Sequence, residues 1–105
     1  MTFQTLDYII AIAEEKSISK AADRLLLSQP ALSRQLKRVE ESLDTKLFAR
    51  EQNEMHLTDA GKIYVNGARS IQNIYERALN DIRKLSQSGR HQITFIYNNI
   101  LLPDF

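Results

Sequence analysis

The sequence has 105 residues, enough for one small domain with an extension but not for two full domains. Its 43% hydrophobic and 26% charged content is that of an ordinary globular protein, and no apolar run approaches the ~18 residues a membrane span needs. It has no cysteine, which excludes disulfides and thiolate metal sites and is compatible with a reducing cytoplasm, the expected location.

The net charge of +1 hides an uneven distribution: residues 1–15 carry three acids and no base, whereas residues 16–50 carry eight bases against four acids. Positive charge concentrated in this way suits a phosphate backbone, although a solvated helix face has the same composition. The first residues, MTFQTLDYIIAIAEE, lack a basic segment and a small-residue cleavage site, so no signal peptide is expected.

Phe3, Leu6, Ile9, Ile10 and Ala13 recur at spacings of three and four, which predicts an amphipathic helix over about residues 3–14. Ser17 can cap a second helix in which Ile18, Ala21, Ala22 and Leu25 face inward. The small Ala21–Ala22 pair lets another helix approach closely. Leu25-Leu26-Leu27 then forms an apolar turn. Ser28 caps a third helix, with Pro30 in the first turn, where its missing N–H costs nothing.

The third helix runs to about Leu43 and buries Leu32, Leu36, Val39 and Leu43. Subtracting that stripe leaves Gln29, Ser33, Arg34, Lys37 and Arg38, with no acid until Glu40. The major groove of DNA admits such a helix. Gln29 has the amide for bidentate contact with adenine, Arg34 the fork that matches guanine, and Ser33 a hydroxyl for base or phosphate. Lys37 and Arg38 are better placed for backbone phosphate. On spacing alone, the same residues also fit the polar face of a bundle helix.

Lys46–Arg50 and Met55–Thr58, separated by Glu51-Gln52-Asn53-Glu54, predict a two-stranded hairpin, with Leu47, Phe48 and Leu57 packed on the helices. From Asp59 to about Gln87 there is no proline. Apolar or small residues recur at Ala60, Tyr64, Gly67, Ile71, Ile74, Ala78, Ile82 and Leu85, close to a heptad seam. A helix of roughly 40 Å, at about 1.5 Å per residue, cannot bury that stripe against so small a domain and calls for a second copy. Ser88-Gly89 would end it, and Ile93–Tyr97 would form a strand that opens a further domain.

No catalytic constellation is present. His56 and His91 lack neighbouring ligands, so no metal is expected, and the adjacent pairs Glu14-Glu15 and Glu40-Glu41 point to different helix faces. Neither an enzyme activity nor a cofactor is expected.

Ser17-Ile18-Ser19, Ala21-Ala22, Leu25, Ser28-Gln29-Pro30-Ala31-Leu32-Ser33, Glu40, Leu47-Phe48-Ala49-Arg50 and Leu57-Thr58-Asp59-Ala60-Gly61 together resemble the LysR-type family of bacterial transcriptional regulators, over roughly residues 3–88. The resemblance implies a mainly α fold: a winged helix-turn-helix over residues 1–58 (the two-helix motif at about 18–37), then a linker and dimerisation helix over 59–88. Residues 89–105 would be the truncated start of an effector-binding domain. It also implies dyad-symmetric promoter DNA as partner, bound by a homodimer, with higher oligomers open to the full-length protein. A small-molecule effector would enter only through the C-terminal domain.

The candidate DNA-binding set is Lys20, Ser28, Gln29, Pro30, Ala31, Ser33, Arg34, Lys37 and Arg38, joined by Arg50 and Asn53 from the wing. The candidate dimerisation set is the seam from Ala60 to Leu85. Two departures from the family pattern stand out. Asp44 occupies a helix end where glycine is common, and an αL conformation there is costlier for Asp44. The wing tip, commonly basic, carries Glu51 and Glu54, which are unfavourable beside phosphate and leave Arg50 or Asn53 to make any wing contact. A helical dimerisation module that binds protein rather than DNA is the alternative reading.

Overall fold

A computed structural model describes residues 2–87, which form α1 (Phe3–Glu15), α2 (Ile18–Leu25), α3 (Gln29–Leu43), β1 (Phe48–Glu51), β2 (Glu54–Leu57) and α4 (Asp59–Gln87). The residues expected to end α4 at Ser88-Gly89 and to form a strand at Ile93–Tyr97 lie outside the described set. Compact packing divides the chain between Gln72 and Asn73. The winged unit therefore includes the first half of α4 and does not stop at residue 58.

Each of the first three helices starts on a hydroxyl cap: Thr2 accepts from the Thr5 N–H, Ser17 from Lys20 and Ser28 from Ala31. Each also ends on a left-handed residue that is not glycine, Lys16, Leu26 and Asp44, with φ of 55°, 59° and 52°. Their N–H groups turn back onto carbonyls of the last turn and satisfy acceptors the helix leaves open. An L side chain in this region costs about 1–2 kcal/mol, less for Asp, which tolerates it better. Asp44 does adopt the conformation expected of it. Leu26 does so while 92% exposed, so the apolar turn does not close over its middle leucine.

The core of the winged unit collects Ile9 and Ile12 from α1, Ala21 and Ala22 from α2, Leu32, Leu36 and Val39 from α3, Leu47, Phe48 and Met55 from the hairpin, and Val65 and Ala68 from α4. Each large aliphatic side chain fully withdrawn from water contributes about 1.5–3 kcal/mol. Ala60 and Tyr64, expected in an intermolecular seam, are half-buried against this core. The reason is helical phase: Gly61, Val65 and Ala68 are the residues α4 buries, and Ala60 and Tyr64 flank that line.

The hairpin is tighter than expected. Its strands continue through Glu51 and Glu54, which pair directly across it, and only Gln52 and Asn53 form the turn. Both turn residues have positive φ, 51° and 63°, the requirement of a type I′ turn that matches strand twist. β2 is also tied to the turn before α2, where the Met55 N–H donates to the Lys16 carbonyl at 3.0 Å.

Two contact sets root α4. In the first, the Thr58 hydroxyl accepts from the Gly61 N–H at 3.0 Å and donates to the Lys46 carbonyl at 2.7 Å, while the Thr58 N–H donates to the Leu47 carbonyl at 3.0 Å. A Cβ on Gly61 would stand 2.0 Å from that Leu47 oxygen, so only glycine fits. In the second set, Arg69 of α4 reaches Glu14 of α1 at 3.2 Å, Glu14 also pairs with Arg24 of α2 at 2.8 Å, and Gln72 donates to Asp7.

Gly61→Ala should lower unfolding free energy by about 2–3 kcal/mol in denaturant titrations, because backbone rather than a flexible side chain must move. The hydrogen bond from Arg24 holds the Glu14 carboxyl below its ordinary value of 4.5, against a smaller opposing effect of burial. The folded state therefore binds this proton less tightly than the unfolded state, and the stabilisation is full above that ordinary value. It is lost as the pH falls through the lowered folded value. With Glu14 and Arg24 both more than a third exposed, the gain of wild type over Glu14→Gln should be below about 1 kcal/mol. Melts should find that gain constant at neutral pH and vanishing in acid.

Candidate nucleic-acid interface

α3 presents the candidate surface because its two faces differ in chemistry. At 3.6 residues per turn, Leu32, Leu36 and Val39 share the side turned to the core, and Pro30, Arg34, Lys37 and Arg38 share the opposite side. All four of the latter are exposed, as are Gln29 and Ser33 on the flank. Ala31 is half-covered and contributes chiefly its N–H to the Ser28 cap, at 3.2 Å. Ser28 is exposed, with its oxygen engaged in that cap and its O–H still able to donate. Capping fixes the first turn, so Gln29 and Pro30 project from a defined backbone.

The charges divide into two groups. Arg24, Lys46 and Arg69 are bound to the chain's own carboxylates. Among the described residues, Lys20, Arg34, Lys37, Arg38 and Arg50 have no ion-pair partner, as is true also of Lys16, Lys62, Arg77, Arg83 and Lys84 outside the candidate set, which leaves their charge for an external anion. Lys20 is exposed on α2 and Arg50 on β1, so the cations come from three elements of one unit.

At the wing tip, residues directly opposite each other share a face of the ribbon. Glu51, Glu54, Ala49 and His56 fall on one face, and Arg50 falls on the other beside Met55. His56 stands 3.3 Å from Glu54, within its own strand. Asn53 occupies the exposed turn. Two facing carboxylates thus flank the two groups expected to touch a ligand.

Sequence reasoning missed two features. Glu40 is buried on α3 at 8% exposure, and its Oε2 accepts from the Leu47 N–H at 2.7 Å and the Phe48 N–H at 3.4 Å. The sequence signal was weak: Glu40 lies one turn from Leu36 at the edge of the apolar stripe, in phase with the exposed Ser33. Ile63, 75% exposed, was left out of the proposed seam although it precedes Gly67 and Ile71 at the spacing of four.

Among the described residues no cluster of ligands could hold a metal, and no helix is long and apolar enough to cross a membrane. The surface depressions near α3 are open: one of about 360 Å³ is lined by Lys37, Glu40, Glu41, Asp44, Thr45 and Lys46.

Residues 3–62 match the family described as bacterial regulatory helix-turn-helix protein, lysR family. The chain belongs to that family. Its relatives include a probable RuBisCO transcriptional regulator of Phaeodactylum tricornutum, 39% identical over 89% of this chain and 30% of that protein. The HTH-type transcriptional regulator BsdA of Bacillus subtilis is 38% identical over 83% of this chain and 30% of BsdA. The lysR-family chain described here thus spans about 30% of the length of these two curated relatives.

Among solved structures, a CbnR DBD–DNA complex matches with a TM-score of 0.72 and 34% identity, covering 83% of this chain and all (100%) of that one. A BenM DBD/catB site 1 DNA complex matches with a TM-score of 0.77 and 29% identity, covering 86% of this chain and 100% of that one. The lysR-family fold, a winged helix-turn-helix followed by a long helix, is therefore the fold of this chain.

Proposed function

We propose that this chain is the DNA-binding part of a transcriptional regulator and reads duplex DNA through α3. The observation that carries the proposal is the outer face of α3, where Arg34, Lys37 and Arg38 stand exposed, unpaired among the described residues, and joined to a capped first turn bearing Gln29. Structurally similar chains were solved in complexes with DNA, which supports the same use of this surface.

In this reading Gln29, Ser33 and Arg34 select bases. Lys20, Lys37 and Arg38 bind phosphates, with Ser28 donating its O–H to one of them. Phosphate contacts supply most of the affinity through counterion release, so binding falls steeply with salt. Pro30 and Ala31 supply apolar surface and a rigid first turn. The role of the chain is recognition, with no reaction assigned to it.

Dyad operators require two copies. The surface proposed to join them is the exposed apolar stripe of α4: Ile63, Gly67 and Ile71 in the winged unit, and Ile74, Ala78 and Ile82 beyond it. Leu85 continues the same spacing. Exposed isoleucines at this density are costly in water and are relieved by a matching helix.

Electrophoretic shifts with promoter DNA at two salt concentrations test the reading, and a chain that fails to bind at low salt refutes it. Arg34→Ala should cost about 1–3 kcal/mol at the preferred operator and relax the choice at one base position. A loss equal on every sequence would instead make Arg34 a phosphate contact. Glu51→Arg combined with Glu54→Arg should raise affinity and steepen the salt dependence, because two repulsive charges become attractive ones. Unchanged affinity and slope would place the wing tip away from the backbone.

A further inference from the structure

Glu40 lies two turns beyond Ser33 on the same flank of α3, but there the flank is covered. Its carboxylate is buried, and what it holds is the entry to β1: the Leu47 N–H at 2.7 Å, the Phe48 N–H at 3.4 Å and the Lys46 ammonium at 3.7 Å. On the other side of the same segment, Thr58 takes the Lys46 and Leu47 carbonyls. The root of the wing is thus fixed by a side chain of the helix that carries Arg34.

We propose that Glu40 is a positioning residue for DNA recognition, one that sets the register between the wing and α3; this rests on the DNA-binding reading above. The chemistry requires a carboxylate. One oxygen can accept from two successive N–H groups, bonds that gain strength where water is excluded, while the second faces the exposed Lys46 ammonium. In Glu40→Gln the amide oxygen can still accept, but its NH2 group must turn toward the Lys46 ammonium or toward the two N–H groups. The first choice replaces charge-assisted bonds to the two N–H groups with weaker neutral ones, and the second sets donor against donor; both loosen the strand root without emptying the core.

The test is a double-mutant cycle on operator affinity, with the Glu51→Arg/Glu54→Arg wing as reporter and folding checked by melting. In the wild-type background the basic wing should tighten binding about fivefold or more, as added phosphate contacts do. In the Glu40→Gln background that gain should fall below twofold, whereas the loss caused by Arg34→Ala should be the same in both backgrounds. Hydroxyl-radical protection beside the wing should weaken, with protection under α3 retained. A merely structural role would scale all these effects together.

An undiminished wing gain in Glu40→Gln overturns the proposal, and so does a basic wing that gains nothing in either background. If Glu40→Gln does not fold, Glu40→Asp carries the same cycle, since its carboxylate is one methylene too short to hold the Leu47 and Phe48 N–H groups. Additivity with the basic wing would then overturn the proposal. A wild-type chain that binds no DNA is a separate result and refutes the underlying reading itself.

Discussion

The fold depends on how the backbone at Lys46 and Leu47 is held. This short stretch lies between α3 and the hairpin, and its polar groups are claimed from both sides. Glu40 accepts the Leu47 N–H, while Thr58 takes the carbonyls of both residues. Leu47 itself is fully buried, so these backbone groups cannot turn to water without withdrawing the side chain from the core. Thr58 also caps α4, and Gly61 lies against the same backbone. Helix α3, the wing and α4 therefore converge on one segment, and each fixes the others.

A buried carboxylate is an expensive way to make such a junction, because its desolvation must be offset by good geometry. Two backbone donors and a nearby ammonium provide that geometry. Apolar packing could fill the same volume but could not accept N–H groups, and it would not specify where β1 begins. The contrast with the remaining charges is informative. Glu14, Glu15, Arg24 and Arg69 are consumed in joining α1, α2 and α4, whereas the cations of the outer α3 face form no ion pair among the described residues. Internal pairs shape the scaffold, and the leftover cations give it a ligand preference.

Much of this was legible in the chain order of residues. Helix starts were readable because Ser17 and Ser28 are hydroxyl caps ahead of apolar periodicity, and α3's two faces were readable because a 3.6-residue repeat separates Leu32, Leu36 and Val39 from Arg34, Lys37 and Arg38. The candidate contact residues of α3 were chosen on the same separation. The hairpin tip was misjudged because Gln52-Asn53 lacks the glycine that marks a type I′ turn, so the strand ends were cut short by one residue on each side. Ala60 and Tyr64 were read as seam although they also pack on the core, because a repeat of three and four cannot say which of two partners a stripe meets.

The sequence by itself determined the helix periods, the caps, the cationic outer face of α3 and the motif pattern, since each depends on neighbours within a few turns of the same chain. Tertiary structure alone decided which side of α4 packs on its own domain, that Gly61 must yield to the Leu47 carbonyl, and that Glu40 holds the wing. Those outcomes depend on contacts between residues far apart in the chain or on different elements, where a local repeat carries no information about distance. Glu40 shows the difference most clearly: its helical phase sets it on the flank with the exposed Ser33, and only the packed wing covers it and supplies the N–H groups that make a buried charge tenable.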